Sequence, residues 1–127
     1  MADEDERREF ERIYIKLGAE LTFANGEKLQ GRVRDISMRG VFVVLEGAAQ
    51  APTPECRVRL VFGELPDALV LRAAGKVMHQ HPDGFGVQII ELEVEDFHHL
   101  YRLMRHNAPD PERIDEEFYS HVGLKKR

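Results

Sequence analysis

The sequence predicts a mainly β domain, a small antiparallel barrel or sandwich, with helix confined to its C-terminal end. Three observations predict it. Between residues 13 and 91, about six short strand-like runs recur at spacings of roughly 8–15 residues. The first two runs are divided by Asn25-Gly26, a dipeptide that supplies the positive φ angles of a tight hairpin turn. After Leu92 the apolar period lengthens from two to three and four residues.

The elements follow in order. Residues 1–12, MADEDERREFER, hold six acids and three arginines around one aromatic. Such a segment cannot bury a core and reads as a flexible terminus. Leu17, Ala19, Leu21 and Phe23 put one apolar face on the first strand. The second, Lys28 to about Asp35, carries Leu29 and Val33 on one face, Arg32 and Arg34 on the other. A polar turn, Ser37 to Gly40, leads into Val41–Leu45, apolar on both faces and so expected to be central or covered twice. Arg57–Phe62 alternates again, with Val58, Leu60 and Phe62 expected inside. Ala68–Gln80 is a long strand, bent near Gly75, and Pro82-Asp83-Gly84 turns it into the last strand, Phe85–Leu92.

Two helices complete the chain. Val94, Phe97, Tyr101 and Met104, widened by Leu100 and Leu103, form an apolar stripe. Asn107 to Pro109 ends it; Asp110 offers an N-cap and Pro111 suits the first turn of a shorter helix. That helix presents Ile114, Phe118 and Val122, and is expected to dock on the barrel. The tail Lys125-Lys126-Arg127 is expected to be solvated. The chain thus divides into 1–12, a flexible N-terminal segment; 13–107, the barrel with its helix; and 108–127, a short helix and basic tail.

Composition narrows the function. A chain of 127 residues can bury about two-thirds of its unfolded surface as one domain. No apolar run approaches the roughly 18 residues of a membrane span, and the acidic start is unlike a signal peptide. One cysteine, Cys56, excludes an intramolecular disulfide, so a cytoplasmic location without membrane insertion is expected. The net charge of −5 argues against binding a nucleic-acid polymer. It leaves room for a small anion, because a few placed arginines can serve one site on an acidic protein.

Enzyme chemistry finds no support. There is no phosphate-binding Gly-Lys-Ser/Thr loop and no nucleophile elbow. Gly84-Phe85-Gly86 lacks the third glycine of a dinucleotide fingerprint and leads into a strand. Cys56 heads a strand beside arginines, where an ordinary edge cysteine outweighs a reactive one. His79 and His81 share one strand face, too few ligands for zinc. His98 and His99 are adjacent on a helix, about 100° apart, and cannot clasp one ion. No catalytic residue, metal or cofactor is expected.

Two short motifs remain. Arg7-Arg8-Glu9-Phe10-Glu11-Arg12 is an RRxxxR pattern before the first strand. Asp35-Ile36-Ser37-Met38-Arg39-Gly40 is a DxSxxG pattern at the turn after the second. Each alone is weak: Asp35 and Ser37 can bond the backbone of their own turn, and Gly40 can supply a permissive φ. In this order, bracketing an Asn-Gly hairpin, they are much more specific.

Together they resemble the PilZ domain, a family of bacterial receptors for cyclic di-GMP. The resemblance spans roughly Arg7 to Tyr101, with Gly75-Lys76-Val77 and Gly84-Phe85-Gly86-Val87 similar to the family's last two strands. It implies a six-stranded antiparallel split barrel with C-terminal helix packed on it. It also implies that Arg7, Arg8 and Arg12 bind phosphates and stack on guanine, while Asp35 and Ser37, with Gly40 in the same turn, meet the guanine edge. Two positions are added. Arg39 either contacts a phosphate or faces solvent. His79, where many members carry an aromatic or long side chain, either meets guanine or is packed or solvated. Ile89 stands where the family often has Phe, still a core position.

The chemistry agrees. Guanine O6 and N7 suit an arginine fork, and guanidinium planes stack on bases. Guanine N1–H and N2–H₂ suit an ionised carboxylate, and a serine hydroxyl donates or accepts. The expected protein is a cyclic di-GMP receptor, a monomer or weak dimer. Ligand orders its N-terminal arginine segment, and it signals to an unidentified protein in motility, biofilm or pilus regulation. The alternative is a PilZ-like adaptor that acts without nucleotide.

Overall fold

The computed structural model describes residues 12–15, 17–45, 50–63 and 68–120. Six strands form: β1 (Leu17–Phe23), β2 (Lys28–Ile36), β3 (Gly40–Leu45), β4 (Glu55–Phe62), β5 (Leu69–His81) and β6 (Gly84–Leu92). They close into a barrel in the order β1-β2-β3-β6-β5-β4, every neighbouring pair antiparallel. Closure removes the free strand edges that an open sheet would leave. Of the segment expected to be flexible, residues 1–12, all but Arg12 lie outside the described residues, as does the basic tail expected to be solvated.

Period-two alternation builds the interior. Leu17, Ala19, Leu21 and Phe23 of β1 point inward and are buried, as are Val58 and Leu60 of β4. Phe62 departs from its expected place: at the end of β4 it is 37% exposed. The hairpin after β1 forms at Asn25-Gly26, with Gly26 at φ 93° and its N–H donating to Phe23 O at 2.8 Å. Asn25 Oδ1 accepts the Glu27 N–H at 3.0 Å, locking the turn.

β5 bends where expected, its register with β6 shifting between Ala74 and Gly75. A Cβ at Gly75 would lie 2.8 Å from Val87 Cγ1 and 2.9 Å from Val58 Cγ2, inside the barrel. Gly75→Ala is therefore expected to destabilise by about 1–3 kcal/mol in urea unfolding, the usual cost of overpacking.

Cys56 is no edge cysteine. It faces the barrel core from β4, and burial, helped by Glu55, pushes its thiol up to about 11. A thiolate is the reactive form. An aromatic disulfide reagent at pH 8 is expected to label it only when urea unfolds the chain.

Two helices follow, α1 (Val94–Asn107) and α2 (Pro111–Ser120). α1 buries Phe97, Leu100, Leu103 and Met104 and touches β5 and β6, where the Arg72 N–H donates to Asp96 Oδ1 at 3.1 Å. Val94, expected in the stripe, is 46% exposed at the helix start. α2 buries Ile114 and Phe118 chiefly against α1, where it was expected to dock on the barrel itself. Its Phe118 ring meets Phe97 and Tyr101 at centroid distances of 5.3 and 5.2 Å.

Asp115 ties the helices electrostatically. It accepts hydrogen bonds from Tyr101 Oη and from Arg105 Nε, which hold its carboxyl below its ordinary value of 3.8. A lowered folded-state value contributes stability above pH 3.8, lost as pH falls through the lowered value. Asp115→Asn is thus expected to lower the urea midpoint at pH 7 and to change it little at pH 2. An equal loss at both pH values would contradict this.

Candidate functional site

The DxSxxG segment is placed by a β-bulge. Val33 pairs with Val43, but the next pair is Asp35 with Phe42, so Arg34 is the extra residue. Val33 and Ile36 turn inward and are buried. Arg34 and Asp35 consequently both emerge on the outer side, which simple alternation does not allow. Arg34 Nε donates to Asp35 Oδ2 at 2.8 Å, and its guanidinium lies 4.1 Å above the Phe42 ring centroid. That bond raises the arginine's pKa still further, so its charge is secure at any relevant pH.

Pairing extends a row from Asp35 across the barrel. Asp35 faces Phe42, Phe42 faces Gly86, and Gly86 faces His79. Strands about 4.8 Å apart make this row roughly 14 Å long. The neighbouring row, Arg32, Val44, Gly84 and His81, lies directly beside it. The Phe42 and His81 rings are 5.4 Å apart, and those of His79 and His81 6.2 Å. Gly86 presents no side chain between Phe42 and His79, leaving a shallow floor flanked by rings. A side chain at Gly84 would strike Val43 O and Phe42. The strand β3, expected to be central or covered twice, lies between β2 and β6, and its apolar outer residues, Phe42 and Val44, are half-buried on this face rather than covered.

Arg12 reaches the same place. Ile13 and Ile36 form an isolated antiparallel bridge, exchanging N–H···O bonds of 2.8 and 2.9 Å. In antiparallel register Arg12 therefore stands opposite Ser37, two residues from Asp35. Arg7 and Arg8 lie outside the described residues.

The turn itself is built by its serine. Ser37 Oγ accepts the N–H groups of Arg39 and Gly40 at 3.3 and 3.2 Å, and the Ser37 N–H donates to Gly40 O at 2.8 Å. Met38 is fully buried and anchors the turn tip in the core. Arg39, half-buried, accepts the Ile89 N–H on its carbonyl at 2.8 Å. Gly40 does not supply a positive φ, so the permissive-backbone alternative does not apply to it. A Cβ there would lie 3.2 Å from Val87 O, so close approach of β6 is what favours glycine. His79 is exposed on the outer face, with its ring against Gly86.

The structure thus brings Arg12, Asp35, Ser37 and Gly40 together at one end of a row and sets His79 at the other. Arg34, Phe42, His81 and Gly86 join them unforeseen by the sequence reading, because a bulge leaves no mark in the hydrophobic pattern. No group of three metal-ligating side chains occurs among the described residues. Nor is any helix there long and apolar enough to cross a membrane.

Comparison with known proteins decides the family. The sequence pattern of the PilZ domain matches residues 6–106. The chain belongs to the PilZ domain family. Solved structures agree on the fold. The PilZ domain of YcgR from Escherichia coli, solved with c-di-GMP, superposes with TM-score 0.64 at 17% identity, covering 91% of this chain and 99% of that one. The Bacillus subtilis inhibitor of motility, MotI, gives 0.57 at 13% identity over 94% of this chain and 53% of its own. The PilZ domain of CeSA from a cellulose-synthesizing bacterium gives 0.51 at 22%, over 73% of this chain and 93% of that one. No curated protein matches the chain. The six-stranded closed barrel with C-terminal helices is therefore a PilZ fold.

Proposed function

We propose that this PilZ domain is a receptor for cyclic di-GMP and that the ligand lies on the outer face of β2, β3, β6 and β5. The observation that carries the reading is the Ile13–Ile36 bridge, which brings the last arginine of RRxxxR against the DxSxxG turn. The YcgR structures solved with c-di-GMP support it at the level of the family.

Each residue has a chemically distinct part. The Asp35 carboxylate accepts from guanine N1–H and N2–H₂. Arg12, joined by Arg7 and Arg8, brings forked donors and positive charge to the phosphates and to O6 and N7. Ser37 Oγ accepts two backbone N–H groups and donates its proton to Gly40 O in a long 3.4 Å bond, which a phosphate oxygen can replace. His79 and Phe42 offer ring faces on either side of Gly86 for stacking. Arg39 adds charge at the turn. Binding orders the N-terminal arginine segment against the barrel and so changes the surface a partner protein meets. The output passes through that partner, in keeping with the motility role that the name of MotI states.

Isothermal titration of cyclic di-GMP into the protein, with Arg8→Ala and Arg12→Ala alongside, tests this. Saturable binding at micromolar affinity or tighter, weakened about tenfold or more in each variant, is expected. Absence of binding to the unaltered protein would overturn the receptor reading in favour of an adaptor that needs no nucleotide.

A further inference from the structure

The carboxylate that the receptor reading gives to guanine is already occupied. The Asp35 side chain is only 6% exposed, and Arg34, itself 48% exposed, covers it through the 2.8 Å Nε–Oδ2 bond. The bulge in β2 makes this possible, since it sets the two consecutive residues on the same outer side. Phe42 holds the guanidinium from below at 4.1 Å. Arg34 therefore stands where a guanine edge would approach, offering the carboxylate the same kind of donor that guanine N1–H and N2–H₂ offer.

We propose that Arg34 is a latch on Asp35, an internal occupant that cyclic di-GMP displaces when it binds. The inference rests on the receptor reading and adds a competitor within the chain. Three features make the latch releasable. It is held by a single Nε donor rather than the two-pronged fork that binds carboxylates most firmly. It is half exposed, so water replaces the lost bond as the guanidinium swings out. Its attachment to Phe42 is a stacking contact on an open face, not an enclosure. Once released, the guanidinium stays within the ligand face, where the positive charge still favours an anion. Latching keeps the carboxylate covered and its negative charge offset until a ligand with the right donors arrives. A ligand without an N1–H and N2–H₂ edge does not replace the bond it breaks, so the latch also favours guanine over adenine.

Arg34→Lys weakens the latch while keeping the charge. It keeps the cation but removes the Nε donor and the planar contact with Phe42. Calorimetric titration of cyclic di-GMP is expected to show the variant binding about two- to fivefold more tightly, a modest gain because a single bond with a half-exposed partner is weakened rather than abolished. In the unaltered protein, the Arg34 Nε–H resonance is expected to be protected from water exchange without ligand and to lose that protection at saturation. This second readout needs no substitution. Weaker or unchanged binding by Arg34→Lys, or an Nε–H equally protected at saturation, overturns the latch while leaving the receptor intact. If neither protein binds, the receptor reading falls and the latch with it.

Discussion

Phe85→Ala is expected to destabilise the domain by about 3–5 kcal/mol in urea unfolding. Phe85 is fully buried and points into the barrel from β6, directly opposite Val43 on β3. A closed barrel cannot easily collapse around a missing ring, because every strand is held by hydrogen bonds on both sides. The cavity should therefore persist, which puts the cost at the upper end for a core truncation. Against a typical total of about 5–15 kcal/mol, this is a large share, and the variant should unfold at much lower denaturant. A loss below about 1 kcal/mol would mean that the interior is looser than the packing described.

Asp35→Ala is expected to weaken cyclic di-GMP binding by about 10- to 150-fold while leaving the fold nearly intact. The binding loss follows from removing a charged acceptor for guanine, worth roughly 1.5–3 kcal/mol. Stability should change little because the cation left behind, Arg34, is 48% exposed and is taken up by water. Calorimetry for affinity and urea unfolding for stability separate the two effects. Arg34→Lys moves affinity the other way, so the adjacent residues of one ion pair should show opposite signs. A cluster of merely structural importance would lose binding and stability together in both variants.

Much of this architecture was legible in the sequence because the barrel obeys simple alternation. Leu17, Ala19, Leu21 and Phe23 point inward as their spacing required, and Asn25-Gly26 and Gly75 mark the turn and bend they suggested. The family motifs located the turn at Ser37. Alternation failed where the backbone departs from period two. The bulge at Arg34 rotates Asp35 onto the outer face, and no residue type announces it. The same failure concealed Phe42, since an apolar residue in an apolar run reads as core until strand pairing sets it beside Gly86 and His81. At Gly40 the close passage of β6, a tertiary fact, favours glycine, and no sequence pattern signals it. Val94 opens its helix and Phe62 closes its strand, and both are exposed, as residues at the ends of apolar stripes often are.

The central claim is that one ligand spans the arginine motif and the DxSxxG turn on a single barrel face. Amide chemical-shift mapping during a cyclic di-GMP titration tests it most directly. The account predicts shifts concentrated at residues 7–14, at Arg34 to Phe42, and at His79 to Gly86, with Arg57 and Arg59 on the opposite side unmoved. Shifts gathered on that opposite side, or confined to the C-terminal helices, would contradict it.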